Sequence, residues 1–130
     1  MKRLTLLTVL VLSLLSTPVF ADWTKLGEKV SGDTIYVDFE RIRKHGGYVY
    51  WWDLSDFLKP TELGYLSGKL YKQGDCKLFR FKVLSDSFHK EPMGGGTPST
   101  YSNKPDKEWI YPLPNSSMET ILKSVCKYAK

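Results

Sequence analysis

The sequence predicts an α+β fold: an antiparallel β-sheet of about five or six strands with a C-terminal α-helix packed on one face and tied there by a disulfide. Between residues 34 and 84, apolar and polar side chains alternate with a period near two, the signature of strands whose successive residues face opposite ways. Residues 118–129 repeat instead at three and four, the spacing of one helix face. The two cysteines, Cys76 and Cys126, fall one in each kind of segment.

The chain opens with Lys2 and Arg3, an uncharged apolar run from Leu4 to Leu15, a break at Ser16-Thr17-Pro18, and the small-residue site Val19-Phe20-Ala21. This is the pattern of a cleaved secretory signal, with the cut placed after Ala21. The run is well short of the roughly 20 apolar residues that span a bilayer, and no later stretch is longer, so no transmembrane segment is expected after cleavage. No cysteine stands immediately after the cut, where the chain reads Asp22-Trp23, so a lipid-modified N-terminus is not expected. Taking residues 1–21 from 130 leaves 109, the length of one domain, at residues 22–130.

Loss of Lys2 and Arg3 from 19 basic residues leaves 17 against 14 acidic ones, a net charge of +3 in place of +5. The two signs alternate along the chain rather than gathering into one stripe, so no nucleic-acid partner is expected.

Thr34 to Asp38 is β-branched and aromatic and follows the turn signal Ser31-Gly32-Asp33, so it reads as a strand. Phe39 to Lys44 is charged and suits a helical turn, and His45-Gly46-Gly47 supplies a reversal. The aromatic run from Tyr48 to Phe57 is a long strand that stops at Lys59-Pro60, where proline cannot donate to a ladder. Tyr65 to Gln73 is the next strand, Gly74-Asp75 the turn, and Cys76 to Leu84 its hairpin partner, with Ser85 to His89 extending it along an edge. Pro92 to Pro105, holding Gly94-Gly95-Gly96, reads as a mobile loop, and Lys107 to Tyr111 as one more short strand.

Met118, Ile121, Leu122, Val125, Cys126 and Ala129 share a face of the terminal helix, and Ser116 with Glu119 forms a capping box at its start. In an oxidising compartment the two cysteines have one possible pairing, Cys76 to Cys126, closing a loop of about 50 residues. Loop-closure entropy values such a bridge at roughly 4 kcal/mol.

These residues also carry a resemblance. Gly32 to Phe39 with Arg41-Ile42, then Gly47 to Trp52, Gly74-Asp75-Cys76-Lys77, and Glu119 to Cys126 are together similar to the surface-adhesin protein E family of Gram-negative bacteria, over nearly the whole of residues 22–130. The resemblance implies an antiparallel sheet with a C-terminal helix held on one face by the bridge. It also implies an exported protein, at the cell surface or in the periplasm, that binds a protein ligand such as the host matrix and serum proteins laminin and vitronectin.

Two groups are candidate binding residues. Tyr48, Tyr50, Trp51 and Trp52 supply aromatic surface of the kind that dominates interface hot spots. Because Trp51 and Trp52 must face opposite ways, one lies in the core and the other meets solvent, a loop or a partner. Arg80 and Lys82 share a strand face and would attract an acidic partner or lipid headgroups, or form an ordinary solvated face.

No catalytic constellation is found. His45 and His89 stand in turn-like contexts without a nucleophile, and Asp53 and Asp56, an odd and an even strand position, point to opposite faces. The Gly94-Gly95-Gly96 run lacks the lysine and hydroxyl of a phosphate loop. With only these histidines beside the cysteines, neither a metal nor another cofactor is expected. The function expected is binding, adhesin-like, with a periplasmic accessory protein of the envelope as the alternative.

Overall fold

A computed structural model describes residues 21–130; the expected leader, apart from Ala21, lies outside the described residues. Seven strands form one antiparallel sheet: β1 (Thr24–Glu28), β2 (Thr34–Val37), β3 (Arg43–His45), β4 (Tyr48–Asp56), β5 (Ser67–Asp75), β6 (Arg80–His89) and β7 (Thr100–Ser102). They run in the order β1-β2-β4-β5-β6-β7, and β3 pairs with the first residues of β4 on the side where β2 pairs with its last. The helix α1 (Ser117–Tyr128) closes one face, and the bridge Cys76–Cys126 ties it to the sheet with a Cα–Cα separation of 5.8 Å. None of the described helices is long and apolar enough to cross a membrane.

The three unexpected strands draw their structure from their partners. β3 is Arg-Lys-His, exposed throughout, yet Gly46 and Gly47 both take positive φ, 59° and 83°, the tight hairpin turn that matches strand twist. β1 carries a bulge between Lys25 and Gly27, and β7 arises inside the segment expected to be a mobile loop. That loop is in fact pinned. Ser67 Oγ donates to Glu91 O at 2.6 Å and accepts from Gly94 N at 2.8 Å, the buried ring of His89 bonds Gly95 O through Nδ1 at 3.0 Å, and Asp56 accepts Met93 N at 2.8 Å. With β7 paired to Asp86, Ser87 and Phe88, the end of β6 is no edge. The short strand expected at 107–111 is a single bridge, Ile110 to Phe81.

The hairpin turn also lies later than Gly74-Asp75. β5 runs through Asp75, Cys76 sits in the turn rather than at a strand start, and β6 begins at Arg80. Gly74 is needed for space: a Cβ there would stand 2.7 Å from the Trp51 ring and 3.0 Å from Leu122. Asp75 makes the turn. One carboxylate oxygen accepts the N–H groups of Lys77 and Leu78 at 3.1 Å, the other accepts Arg80 Nε at 3.0 Å, and Phe79 takes a positive φ of 54°. Burial alone would raise the Asp75 carboxyl, but these N–H groups and the Arg80 charge outweigh it and hold the group below the usual carboxylate range.

A depressed carboxyl stabilises the fold above its unfolded value, near 3.9, and loses that contribution as pH falls through the folded value. Asp75→Ala should therefore cost on the order of 1–3 kcal/mol in urea unfolding at pH 7. The gap from wild type should narrow when the titration is repeated near pH 3.

The core lies between helix and sheet. Ile121, Leu122 and Val125 of α1 pack with Val49 and Trp51 of β4, Phe81 of β6, and Ile35 and Val37 of β2. The helix starts where its sequence places it, with Ser116 Oγ accepting Glu119 N at 3.2 Å and Glu119 Oε1 reaching back to Asn115 N at 3.4 Å. One charged pair is sealed in this layer. Lys72 Nζ lies 2.9 Å from Asp53 Oδ2, which also accepts Trp51 Nε1 at 2.9 Å, and the ammonium contacts Met118 Sδ at 2.9 Å.

Candidate binding surface

Alternation along β4 divides its aromatics between the two faces. Val49 and Trp51 turn under the helix, and Trp51 is 0% exposed, so it drops out of the candidate surface: the position whose neighbour must face outward is itself the inward one. Tyr48, Tyr50 and Trp52 turn to the opposite face, all half-buried.

The register extends that face sideways. Tyr50 stands opposite Gln73, and Gln73 opposite Lys82; Trp52 stands opposite Tyr71; Asp75 stands opposite Arg80. The Trp52 and Tyr71 ring centroids are 4.9 Å apart, those of Tyr50 and Tyr71 are 6.3 Å apart, and Gln73 Nε2 donates to the Tyr50 hydroxyl at 3.2 Å. Burial raises the Tyr71 phenol, the neighbouring Tyr50 adds to the rise, and Arg43 opposes it, so the Tyr71 hydroxyl keeps its proton at neutral pH.

Arg80 and Lys82 do share this face, but neither is a free solvated cation. The indole of Trp109, from the segment after β7, lies beneath both, with the Arg80 guanidinium carbon 4.4 Å and Lys82 Nζ 4.8 Å from its ring centroid. Trp109 also packs on Tyr48 at 5.4 Å. The structure therefore joins five of the six expected binding residues into one band, Trp52-Tyr71-Tyr50 and Tyr48-Trp109, with Arg80 and Lys82 over its end. Trp109 was beyond sequence reasoning; an indole between Lys107-Glu108 and Ile110-Tyr111 gives no sign of the strand pair it reaches across to.

This arrangement can hold flat or apolar groups against rings already fixed in place, and can set carboxylates beside the cations at the end of the band. At the other end the band is capped, because the pinned residues 91–96 fold over the same face above Ser67 and Lys69. Beside this capped end, and contrary to the turn-like context expected for it, His89 ends β6 with its Nε2 2.9 Å from Ser87 Oγ and its Nδ1 3.0 Å from Gly95 O.

Comparison with known proteins agrees with this architecture. The model of the surface-adhesin protein E family matches residues 23–127. A crystal form II structure of Haemophilus influenzae protein E superposes with a TM-score of 0.64 at 19% identity, covering 88% of this chain and 95% of that one. A selenomethionine form from the same organism gives 0.60 at 17% identity, covering 86% and 91%. Protein E from a non-typeable strain gives 0.57 at 18%, covering 86% and 80%. No curated protein matches the sequence.

Proposed function

Since the chain belongs to the surface-adhesin protein E family, we propose that it is exported by cleavage after Ala21 and that residues 22–130 bind a protein ligand through the aromatic and cationic band on the sheet face opposite the helix. The observation that carries this reading is the contact of Trp109 with Tyr48 on one side and with Arg80 and Lys82 on the other. Rings held in place lose little freedom on binding, and Trp, Tyr and Arg are the residues in which interface energy concentrates. The cations favour a ligand segment with acidic groups, and a host matrix or serum protein is the class the family suggests.

Binding of the processed protein to immobilised laminin and vitronectin, followed by surface plasmon resonance, tests this. Trp109→Ala and Tyr50→Ala should each weaken binding by about tenfold or more, as hot-spot truncations do. Lys82→Ala should act mainly by slowing association at low salt. Unchanged affinity in all three variants would move the ligand site off this face. Trp51→Ala is unsuitable as a probe, since it empties the core.

A second reading is favoured by one observation: both cysteines are joined to each other, which leaves neither for lipid attachment. On that reading the protein stays in the periplasm as an accessory of the envelope. Proteinase treatment of intact cells separates the two, removing a surface adhesin and sparing a periplasmic protein.

A further inference from the structure

Asp38 follows β2 and is 1% exposed, yet neither of its carboxylate oxygens accepts a hydrogen bond from any described residue. Arg41 supplies charge, its Nε 3.3 Å from Oδ2, but not in hydrogen-bond alignment, and 40% of its side chain is exposed. A buried carboxylate has room for several donors and is costly to leave without them. It is a poor feature of a core but a good receptor for a compact cation.

The sheet register identifies the surroundings. Thr24 pairs with Val37 and Val37 with Asp53, and Asp38 N donates to Trp52 O, so one further step sets Trp23, Asp38 and Trp52 in a row across β1, β2 and β4. These three line a cavity of about 100 Å³ with Arg41, Lys69 and Ala21. The Lys69 stem lies against Gly94 and its ammonium makes no bond to Asp38. Ala21 is the residue before the proposed cut, and its carbonyl carbon is bonded to the nitrogen that cleavage would turn into an ammonium.

From this the structure assigns the Asp38 cavity to the α-ammonium of Asp22 in the processed chain. The assignment rests on the cleavage site proposed above. Hydrolysis of the Ala21–Asp22 peptide bond by water leaves the carboxylate on Ala21, which departs with the leader, and the amine on Asp22, which takes up a proton at neutral pH. The departure clears Ala21 from the cavity wall. The new group is small, carries three N–H donors for two oxygens that accept no hydrogen bond, and would enter a cavity whose lining includes two indoles. Being tethered beside the site, it competes there far better than a free cation at ordinary concentration. Processing would thus complete an ion pair that the precursor cannot form.

The full chain, exported and purified from the periplasm, tests this beside a second full chain with Gly-Ser inserted between Ala21 and Asp22. Intact mass should show the first beginning at Asp22 and the second at the inserted glycine. Asp38→Asn should lower the melting temperature of the first by about 4–8 °C and of the second by less than about 2 °C. Independently of that substitution, the unsubstituted Gly-Ser chain should melt below the wild type, and the wild-type α-amine should acetylate several-fold more slowly than that of the Gly-Ser chain. Equal Asp38→Asn shifts in both backgrounds, equal melting of the two unsubstituted chains, or equally fast acetylation would each overturn the assignment while leaving export intact. A wild-type mass that still includes residues 1–21 would overturn the cleavage reading and the assignment with it.

Discussion

Replacing Cys76 and Cys126 together by serine is expected to lower the melting temperature by about 15 °C, the largest drop from any change that leaves the core side chains in place. The bridge spans 50 residues of sequence. Closing a loop of that size removes enough freedom from the unfolded chain to contribute about 4 kcal/mol. Most domains of this length have only 5–15 kcal/mol in all. The helix keeps its own attachment, because Ile121, Leu122 and Val125 remain buried against the sheet. The serine variant should consequently fold at low temperature with the same far-ultraviolet circular dichroism and lose it in one earlier transition. Melting that is unchanged by the substitutions, or by reductant on the wild type, would show that helix packing alone sets the stability.

Lys72→Met is the second large effect, with an expected cost of about 3–5 kcal/mol. Asp53 would keep its bond from Trp51 Nε1 but lose the ammonium at 2.9 Å while staying 2% exposed. A buried charge with its partner removed is worse than no charge at all. Lys72→Met combined with Asp53→Asn should therefore recover much of the loss, because the amide oxygen still accepts the indole N–H and nothing charged remains. Urea unfolding of wild type, both single variants and the double variant gives the coupling energy directly. Additive costs would mean that the pair is exchangeable with solvent and not sealed under Met118.

The contrast between what was and was not legible in the sequence follows from where each element gets its stability. β4 announces itself because its aromatic residues alternate, and α1 because a capping box precedes a clean apolar stripe. In both, the pattern that stabilises the element lies within the element. β3 and β7 have no such pattern: Arg43-Lys44-His45 becomes a strand because Tyr48 to Tyr50 lies one glycine turn away. Gly74-Asp75 misleads for a related reason, since a glycine required by the Trp51 ring looks in sequence like one required by a turn. The candidate band was partly readable. Tyr48, Tyr50, Trp52, Arg80 and Lys82 follow from alternation, whereas Trp109 and Asp38 take their roles from neighbours that the chain brings together only when the sheet closes.

The position of the bridge also bears on how the molecule would respond to pulling. A load applied across residues 22 and 130 can straighten only the chain outside the covalent loop, about 200 Å of contour against about 370 Å without the bridge. Arg80, Lys82 and Trp109 lie inside the protected stretch, so three of the seven residues of the proposed contact band sit on chain that tension cannot draw out. Under tension, extension would therefore end early, with these three residues still inside the covalent loop.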